Sequence, residues 1–213
     1  MFIIILGAPG SGKGTVSKLL SEMVDVKHIS TGDMFRQEIS KDNRTGRLVN
    51  RYISKGLLVP DEIVNNIIVE IINNNEKGLI LDGYPRTINQ AKFLEKVLHE
   101  KHRQIDKVFN LDINDQEIIY RTEKRRICSN TECGEIYNLE FKKPLEFNTC
   151  DKCGEALFHR DDDKKRIIQN RLELYHKRSK EIVSYYENKG LLTNIKLNLN
   201  ENITKKELKK YLK

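Results

Sequence analysis

The chain contains 213 residues, of which 38% are hydrophobic and 32% are charged, and its formal net charge is +7 at pH 7. This length and composition predict one compact domain with insertions or a small satellite, and they disfavour overall disorder and a second full-sized domain. The positive charge favours anionic partners, which include nucleotides as well as nucleic acids. The apolar start, Phe2 to Leu6, lacks a basic leader and is too short for a signal peptide or a membrane span, so we expect a cytoplasmic protein without membrane contact.

Short apolar runs alternate with segments of helical period along most of the chain. The runs that predict strands are 2–6, 28–29, 79–81, 108–113 and 191–197. The segments that predict helices are 13–24, 48–55, 61–75, 87–102, 115–125 and 164–188, with a short helix from residue 33 and a closing amphipathic helix from residue 204. This alternation predicts an α/β fold in which helices cover both faces of a parallel sheet.

Segment 127–163 interrupts the alternation, because it is polar and has no helical period, and it is interpreted as an inserted module. Its cysteines form the pattern C-x4-C-x16-C-x2-C and are Cys128, Cys133, Cys150 and Cys153. A glycine follows the second member of each pair, which lets the backbone turn tightly. Two thiolate pairs across a short loop suit a closed, structural zinc site. Free thiols or disulfides are the alternative, and a reducing compartment disfavours disulfides.

The sequence GAPGSGKGT lies at residues 7–15, between the first predicted strand and the first predicted helix. It satisfies the pattern G-x-x-x-x-G-K, in which backbone N–H groups, a helix start and a lysine all face a phosphate. The residues expected to bind phosphate are Gly10, Ser11, Gly12, Lys13, Gly14 and Thr15. A glycine-rich turn without function is the alternative, and the strand-loop-helix context disfavours it. Gly14 stands where Ser or Thr usually follows the lysine, and this GKGT ending resembles nucleoside monophosphate kinases.

Two further motifs place charged side chains near predicted strand ends. STGDMFR, at residues 30–36, would by itself be interpreted as an ordinary helix start with a hydroxyl cap. LDGYPRT, at residues 81–87, puts Asp82 at the carboxyl end of a buried strand, where it can hold water on Mg2+. Arg86 follows, and its planar guanidinium suits a phosphate. A surface ion pair at a turn is the alternative for these two residues.

Five motifs occur in the order and approximate spacing of the adenylate kinase family: GAPGSGKGT, STGDMFR, LVPDE, LDGYPRT with Gln90, and RDDD followed by NRL. The chain resembles this family, in its form with a long zinc-binding lid, over essentially its whole length. The resemblance implies a P-loop NTPase-type core of residues 1–29, 60–125 and 164–213, an NMP-binding insertion of 30–59 and a lid of 126–163. It also implies a monomer that reversibly transfers a phosphoryl group from Mg-ATP to AMP, giving two ADP.

The resemblance further implies roles for individual residues. AMP would be held by Thr31, Arg36, Leu57, Leu58, Val59, Gly83, Tyr84, Pro85, Arg86, Gln90, Arg160 and Arg171. Beyond the phosphate loop, ATP would contact Arg125, Ile136, Tyr137 and Leu199. The catalytic cations would be Lys13, Arg86, Arg121, Arg125, Arg160 and Arg171. Asp82 would hold Mg2+ through water, and the cysteines would bind a structural Zn2+, although the first pair in the family is commonly C-x2-C.

Local spacing refines these expectations. Arg121 and Arg125 are four residues apart, so one helical face would present both guanidinium groups. The acidic run 161–163 precedes a long predicted helix and is interpreted as a hinge or helix start rather than a metal site. The five histidines show no metal-binding spacing and are interpreted as structural or surface residues. From the resemblance, Gln90 would read the adenine edge through its side-chain amide.

Two alternatives stay open from the sequence. A kinase for UMP, CMP or GMP would share the phosphate loop, although Thr31 and Gln90 favour adenine. A basic zinc-ribbon protein that binds nucleic acid without catalysis would account for the charge and the cysteines. It would leave GAPGSGKGT, LDGYPRT and the spaced arginines unexplained, so nucleotides rather than nucleic acids are the expected partners.

Overall fold

A computed structural model describes residues 1–197 and 203–212. The strands in this part of the chain are β1 (Phe2–Gly7), β2 (Lys27–Ser30), β3 (Leu79–Asp82), β4 (Lys107–Asp112), β5 (Arg125–Cys128), β6 (Ile136–Asn138), β7 (Leu157–Phe158) and β8 (Leu192–Lys196). The helices are α1 (Lys13–Val24), α2 (Thr31–Ser40), α3 (Arg44–Ile53), α4 (Asp61–Asn73), α5 (Ile88–Glu100), α6 (Asp115–Lys124), α7 (Lys165–Asn188) and α8 (Lys205–Leu208). None of these described helices has both the length and the apolar character to cross a membrane.

The central sheet has five parallel strands in the order β2-β3-β1-β4-β8. Side chains of β1 alternate between two apolar cores, one that contains Ile4 and Leu6 and one that contains Ile3 and Ile5. Because helices cover both faces, every position of this strand is apolar and the run is unbroken rather than alternating. The predicted α/β fold with a covered parallel sheet is therefore confirmed.

The carboxyl ends of the strands meet at one edge of this sheet. Asp82 at the end of β3 lies in register with Ile5 of β1 and Ser30 of β2. The loops after these three strands carry the motifs GAPGSGKGT, STGDMFR and LDGYPRT. Ligands bind at this edge in open α/β sheets, so the topology brings the three motifs together where a ligand is expected.

The cysteine-rich segment forms a second sheet, which is antiparallel and has the order β6-β5-β7. Its small core consists of Cys128, Tyr137, Cys150 and Leu157. Sequence periodicity does not predict this sheet, because its strands contain only four, three and two residues. A two-residue period cannot be recognised over such short runs.

Most element boundaries differ from the predicted ones by one or two residues, and those of α2, α3 and α6 bear most on the site. α2 and α3 begin earlier, because the side chains of Ser30 and Asn43 cap them by accepting backbone N–H groups. α6 ends at Lys124, and Arg125 has the extended backbone of a strand, with φ −68° and ψ 138°. The prediction that Arg121 and Arg125 share one helical face is therefore wrong, since the chain leaves the helix between them.

Candidate active site

The loop 7–15 joins β1 to α1 and is shaped by glycines in the left-handed region, with φ +83° at Gly10 and +93° at Gly12. A Cβ at Gly10 would lie 2.6 Å from a methyl carbon of Thr122, so a side chain does not fit there. Gly12 caps α1 without a side-chain hydrogen bond. The first N–H groups of α1 thus have no side-chain cap, and together with the helix dipole they can bind an anion.

Lys13 begins α1 and folds back over this loop. Its Nζ donates to the carbonyl oxygens of Gly7 and Ala8, at 2.9 and 2.7 Å. Burial lowers the pKa of Lys13 to about 7; among nearby charges Asp82 raises this pKa, whereas Arg86 lowers it. A polyanion bound beside Lys13 would favour the ammonium form, because it would supply the negative charge that this half-buried site lacks.

Two cavities lie at this edge of the sheet. The first, of about 1160 Å³ including space open to solvent, is lined by many of the residues expected to hold AMP, namely Thr31, Arg36, Leu57, Leu58, Val59, Gly83, Pro85, Arg86, Gln90 and Arg171. The second is open to solvent, measures about 1950 Å³, and is lined by residues that include Gly10, Gly12, Lys13, Gly14, Thr15, Asp82, Arg121, Arg125, Ile136, Tyr137 and Arg160. The two cavities share the four cationic residues Lys13, Arg36, Arg86 and Arg171.

Three described residues of the expected set do not line the cavity expected for them. Ser11 and Tyr84 are fully buried, with 0% exposure, and neither residue lines either cavity. Arg160 lines the second cavity rather than the first. Leu199 lies outside the described residues.

Buried carboxylates orient the arginines of the cleft. Arg125 forms two parallel hydrogen bonds with Asp163, of 2.8 and 2.5 Å, and Asp163 is only 1% exposed. Arg171 donates to a carboxylate oxygen of Asp162 at 3.0 Å. Burial opposes the charged form of Arg125, but the pair with Asp163 outweighs this effect and raises the pKa of Arg125 above its usual value. Both aspartates therefore fix guanidinium groups in place.

A third carboxylate, Asp33, connects two more arginines of the cleft. Asp33 accepts from Arg160 at 3.1 Å and also pairs with Arg36. Burial lowers the pKa of Arg86 and of Arg160 to about 10, so both stay positively charged at neutral pH. The cleft thus concentrates positive charge on side chains whose positions are already set.

The role of the acidic run differs from the one expected. Asp161 is exposed and pairs with Lys164, as suits a helix start. Asp162 and Asp163 are buried and bind arginines of the cleft instead. The sequence signal that could have indicated buried aspartates is the presence of arginines on both sides of this run, at residues 160, 166 and 171, because buried acidic residues require cationic partners.

Asp82 projects from the end of β3 beside the phosphate loop and is 7% exposed. Its Oδ2 lies 3.6 Å from where a Cβ of Gly14 would stand, so the missing side chain at Gly14 leaves room beside this carboxylate. A hard carboxylate facing the second cavity fits the water shell of a divalent cation. His28, from β2, approaches the same oxygen within 3.5 Å, and sequence spacing alone did not point to this histidine.

The four cysteine sulfurs lie within 4.8 Å of one another. Cys128 and Cys153 are 3.3 Å apart and Cys133 and Cys150 are 3.8 Å apart, sulfur to sulfur. A disulfide needs about 2.05 Å, whereas a tetrahedron with zinc–sulfur bonds of about 2.3 Å has sulfurs about 3.8 Å apart. The cluster thus fits a thiolate-bound metal better than a disulfide pair, and the extra residues between the first two cysteines do not prevent this arrangement.

Two aromatic residues of the cysteine-rich segment, Tyr137 and Phe141, line the second cavity, and Tyr137 also packs in the core of the cysteine cluster. Tyr137 is 3% exposed; its hydroxyl accepts from the N–H of Asp151 at 2.8 Å and lies 3.6 Å from the sulfur of Cys150. Its hydroxyl end therefore faces the cluster. Phe141, which sequence reasoning missed, lies at the second cavity with the guanidinium of Arg121 5.6 Å from its ring centroid.

A glycine-rich phosphate loop lies at the carboxyl edge of a parallel sheet, and two cavities meet there at cationic side chains. These features define a P-loop enzyme that brings two phosphate-bearing substrates together. The sequence profile of the adenylate kinase family matches residues 5–191. The adenylate kinase of Caldicellulosiruptor bescii is 43% identical over 194 residues, which cover 90% of this chain and 89% of that protein. The adenylate kinase of Thermoanaerobacter sp. (strain X514) is 40% identical, over 100% of this chain and 98% of that protein. The adenylate kinase of Archaeoglobus fulgidus is 42% identical, over 92% of this chain and 90% of that protein. The chain belongs to the adenylate kinase family and is a phosphotransferase.

Proposed function

We propose that this chain transfers the terminal phosphoryl group of Mg-ATP to AMP, and the reverse, with ATP in the second cavity and AMP in the first. The observation that carries the proposal is that the two cavities meet at Lys13, Arg36, Arg86 and Arg171. Transfer between two nucleotides requires their phosphates to be aligned end to end and their charge to be neutralised. A shared cationic junction between two cavities supplies both conditions.

On the donor side, the N–H groups of the phosphate loop and the ammonium of Lys13 hold the ATP phosphates. Arg121 and Arg125 line the same cavity, and the pair with Asp163 prevents Arg125 from turning away. Asp82 holds a water of the Mg2+ that accompanies ATP, which supplies additional positive charge at the phosphates. These groups act by position and charge, and no general base is needed.

On the acceptor side, Arg36, Arg86 and Arg171 surround the AMP phosphate, and the apolar wall of the first cavity, with Leu58 and Val59, suits a purine base. The AMP phosphate is anionic at neutral pH and attacks directly. Arg160 reaches the junction from the segment after β7 and completes the positive charge around the migrating group.

The insertion 30–59 and the lid 126–163 are proposed to close on the core 1–29, 60–125 and 164–213. Closure would exclude water, which otherwise competes with AMP for the phosphoryl group. In the lid, a zinc ion held by Cys128, Cys133, Cys150 and Cys153 would cross-link four points of the chain. The lid core is small, so such a cross-link compensates for limited apolar burial.

The acceptor is tested by incubating the purified chain with Mg-ATP and AMP, GMP, UMP or CMP in turn and measuring ADP formation. We expect AMP to give the highest kcat/KM, by at least about a hundredfold over UMP and CMP, because the first cavity holds an amide suited to a purine edge. Preference for a pyrimidine monophosphate would overturn the choice of acceptor.

The lowered pKa of Lys13 predicts proton uptake when ATP binds. In the free protein this pKa is about 7, so at pH 8 the side chain is mostly neutral; the phosphates raise the pKa and protonate it. Calorimetric titration with Mg-ATP at pH 8, in buffers of different ionisation enthalpy, is expected to show uptake of roughly 0.9 proton, with affinity falling as the pH rises above 7. In Lys13→Met the uptake should be absent; uptake unchanged by this substitution would contradict the assignment.

A further inference from the structure

The carboxylate of Asp61 joins two helices beside the first cavity. Asp61 is the first residue of α4, and its two oxygens accept from different side chains of the next motif along the chain. One oxygen accepts from the side-chain Nε2 of Gln90 at 2.7 Å, and the other accepts from the hydroxyl of Thr87 at 2.8 Å. Thr87 in turn caps α5 by accepting the backbone N–H of Gln90. The carboxylate therefore fixes both the start of α5 and the side chain of Gln90.

The amide of Gln90 is held from its other side by the main chain. Its Oε1 accepts the backbone N–H of Arg86 at 2.7 Å. An ionised carboxylate can only accept and a backbone N–H can only donate, so the nitrogen of the amide must face Asp61 and its oxygen must face Arg86. A flipped amide would set oxygen against oxygen and N–H against N–H in a site where Gln90 is only 3% exposed.

This fixed orientation matters because Gln90 lines the first cavity. After its two bonds, the amide retains one N–H and one oxygen lone pair. Adenine presents an acceptor, N1, beside a donor, the 6-amino group; hypoxanthine and guanine present N1–H as a donor beside O6 as an acceptor. An amide that cannot flip matches only one of these two patterns in a given position of the base.

We infer that Asp61 is a specificity-determining residue, which selects adenine over 6-oxopurines by locking the orientation of the Gln90 amide. The inference rests on the proposed AMP site and goes beyond it by naming a residue that acts through another. Among the described residues that line the first cavity, Gln90 is present and Asp61 is not, so Asp61 is a positioning residue rather than a contact of the base.

The test compares AMP with IMP, which differs from AMP at the 6-position and in the N1 hydrogen and so isolates the inverted pattern. In Asp61→Asn the new amide can donate or accept, which removes one of the two constraints on Gln90. We expect the ratio of kcat/KM for AMP to that for IMP to fall by about tenfold, through KM, while kcat at saturating AMP stays within about twofold. Glu62→Gln, the same chemical change at the exposed neighbouring residue, should keep the ratio of the unchanged chain.

A second pair of variants covers the case in which Asp61→Asn does not fold. Thr87→Val removes the other partner of the same carboxylate, and Thr87→Ser keeps the hydroxyl. The ratio should fall severalfold in the first variant and stay unchanged in the second. Equal losses for AMP and IMP in Asp61→Asn or Thr87→Val, whatever the change in thermal stability, would overturn the inference. Failure of the unchanged chain to phosphorylate AMP would instead overturn the proposed function, so the two failures are distinguishable.

Discussion

Replacement of Lys13 by methionine is expected to lower kcat by about a thousandfold or more without unfolding the protein. The Nζ of Lys13 lies against the phosphate loop, where it donates to the carbonyl oxygens of Gly7 and Ala8, and positive charge at a migrating phosphoryl group is worth roughly a thousandfold in rate. The fold should tolerate the change, because burial lowers the pKa of Lys13 to about 7, which means that the ammonium opposes folding of the free protein, and its removal offsets the loss of the hydrogen bonds to Gly7 and Ala8. Methionine has a similar length and fills the same space.

The measurement is a steady-state assay of ADP formation together with the thermal midpoint of each variant. Lys92→Met, at an exposed position of α5, is the matched control and should behave like the unchanged chain. A Lys13→Met protein that turns over as fast as the control would contradict the role of the phosphate loop. A large fall in thermal midpoint would show instead that the lost activity reflects unfolding.

Removal of the lid metal is expected to lower stability much more than it slows the chemical step. The metal would connect Cys128 in β5 with Cys133, Cys150 and Cys153, and without it four thiols remain in a core of few apolar side chains. Structural zinc contributes directly to folding, so its loss should lower the thermal midpoint by about 10 °C or more. Since none of the sulfurs faces the cationic junction, kcat measured well below the midpoint should change by less than about fivefold.

Cys150→Ser is the appropriate variant, because Cys150 is 1% exposed and its partner Cys133 is 3.8 Å away. Ser129→Ala, an exposed change beside the cluster, is the control. Elemental analysis should find one zinc per unchanged chain and less in Cys150→Ser, and a zinc-selective chelator in excess Mg2+ should reproduce the loss of stability. Abolished activity with an unchanged thermal midpoint would point to a catalytic metal and contradict this account.

The parts of the site that the sequence predicts are those whose function depends on local geometry. GAPGSGKGT needs a strand before it and a helix after it, and both are visible as apolar patterns around residues 7–15. The closeness of Asp82 to this loop follows from parallel strands, because carboxyl ends share an edge. The cysteine pattern likewise constrains four sulfurs to one small region.

Other features depend on contacts between residues far apart in the chain and could not be read from spacing. The pair Arg125 and Asp163 spans 38 residues, and the bond between Gln90 and Asp61 spans 29. Spacing alone did not show that Arg125 leaves the helix, because a short β-strand of four residues has no detectable period. Asp162 and Asp163 are of the residue type that suits a helix start, but in the fold they are buried and form ion pairs with arginines of the cleft.

The most direct test of the central claim, that two nucleotides meet across one cationic junction, is a titration and crystal structure with two adenosines joined through a pentaphosphate. One ligand per chain is predicted, with one adenosine beside Gln90, the other beside Arg121, and the phosphates passing Lys13, Arg86 and Arg171. Binding of two ligands per chain, or of one ligand that leaves the first cavity empty and fails to displace AMP, would contradict the account.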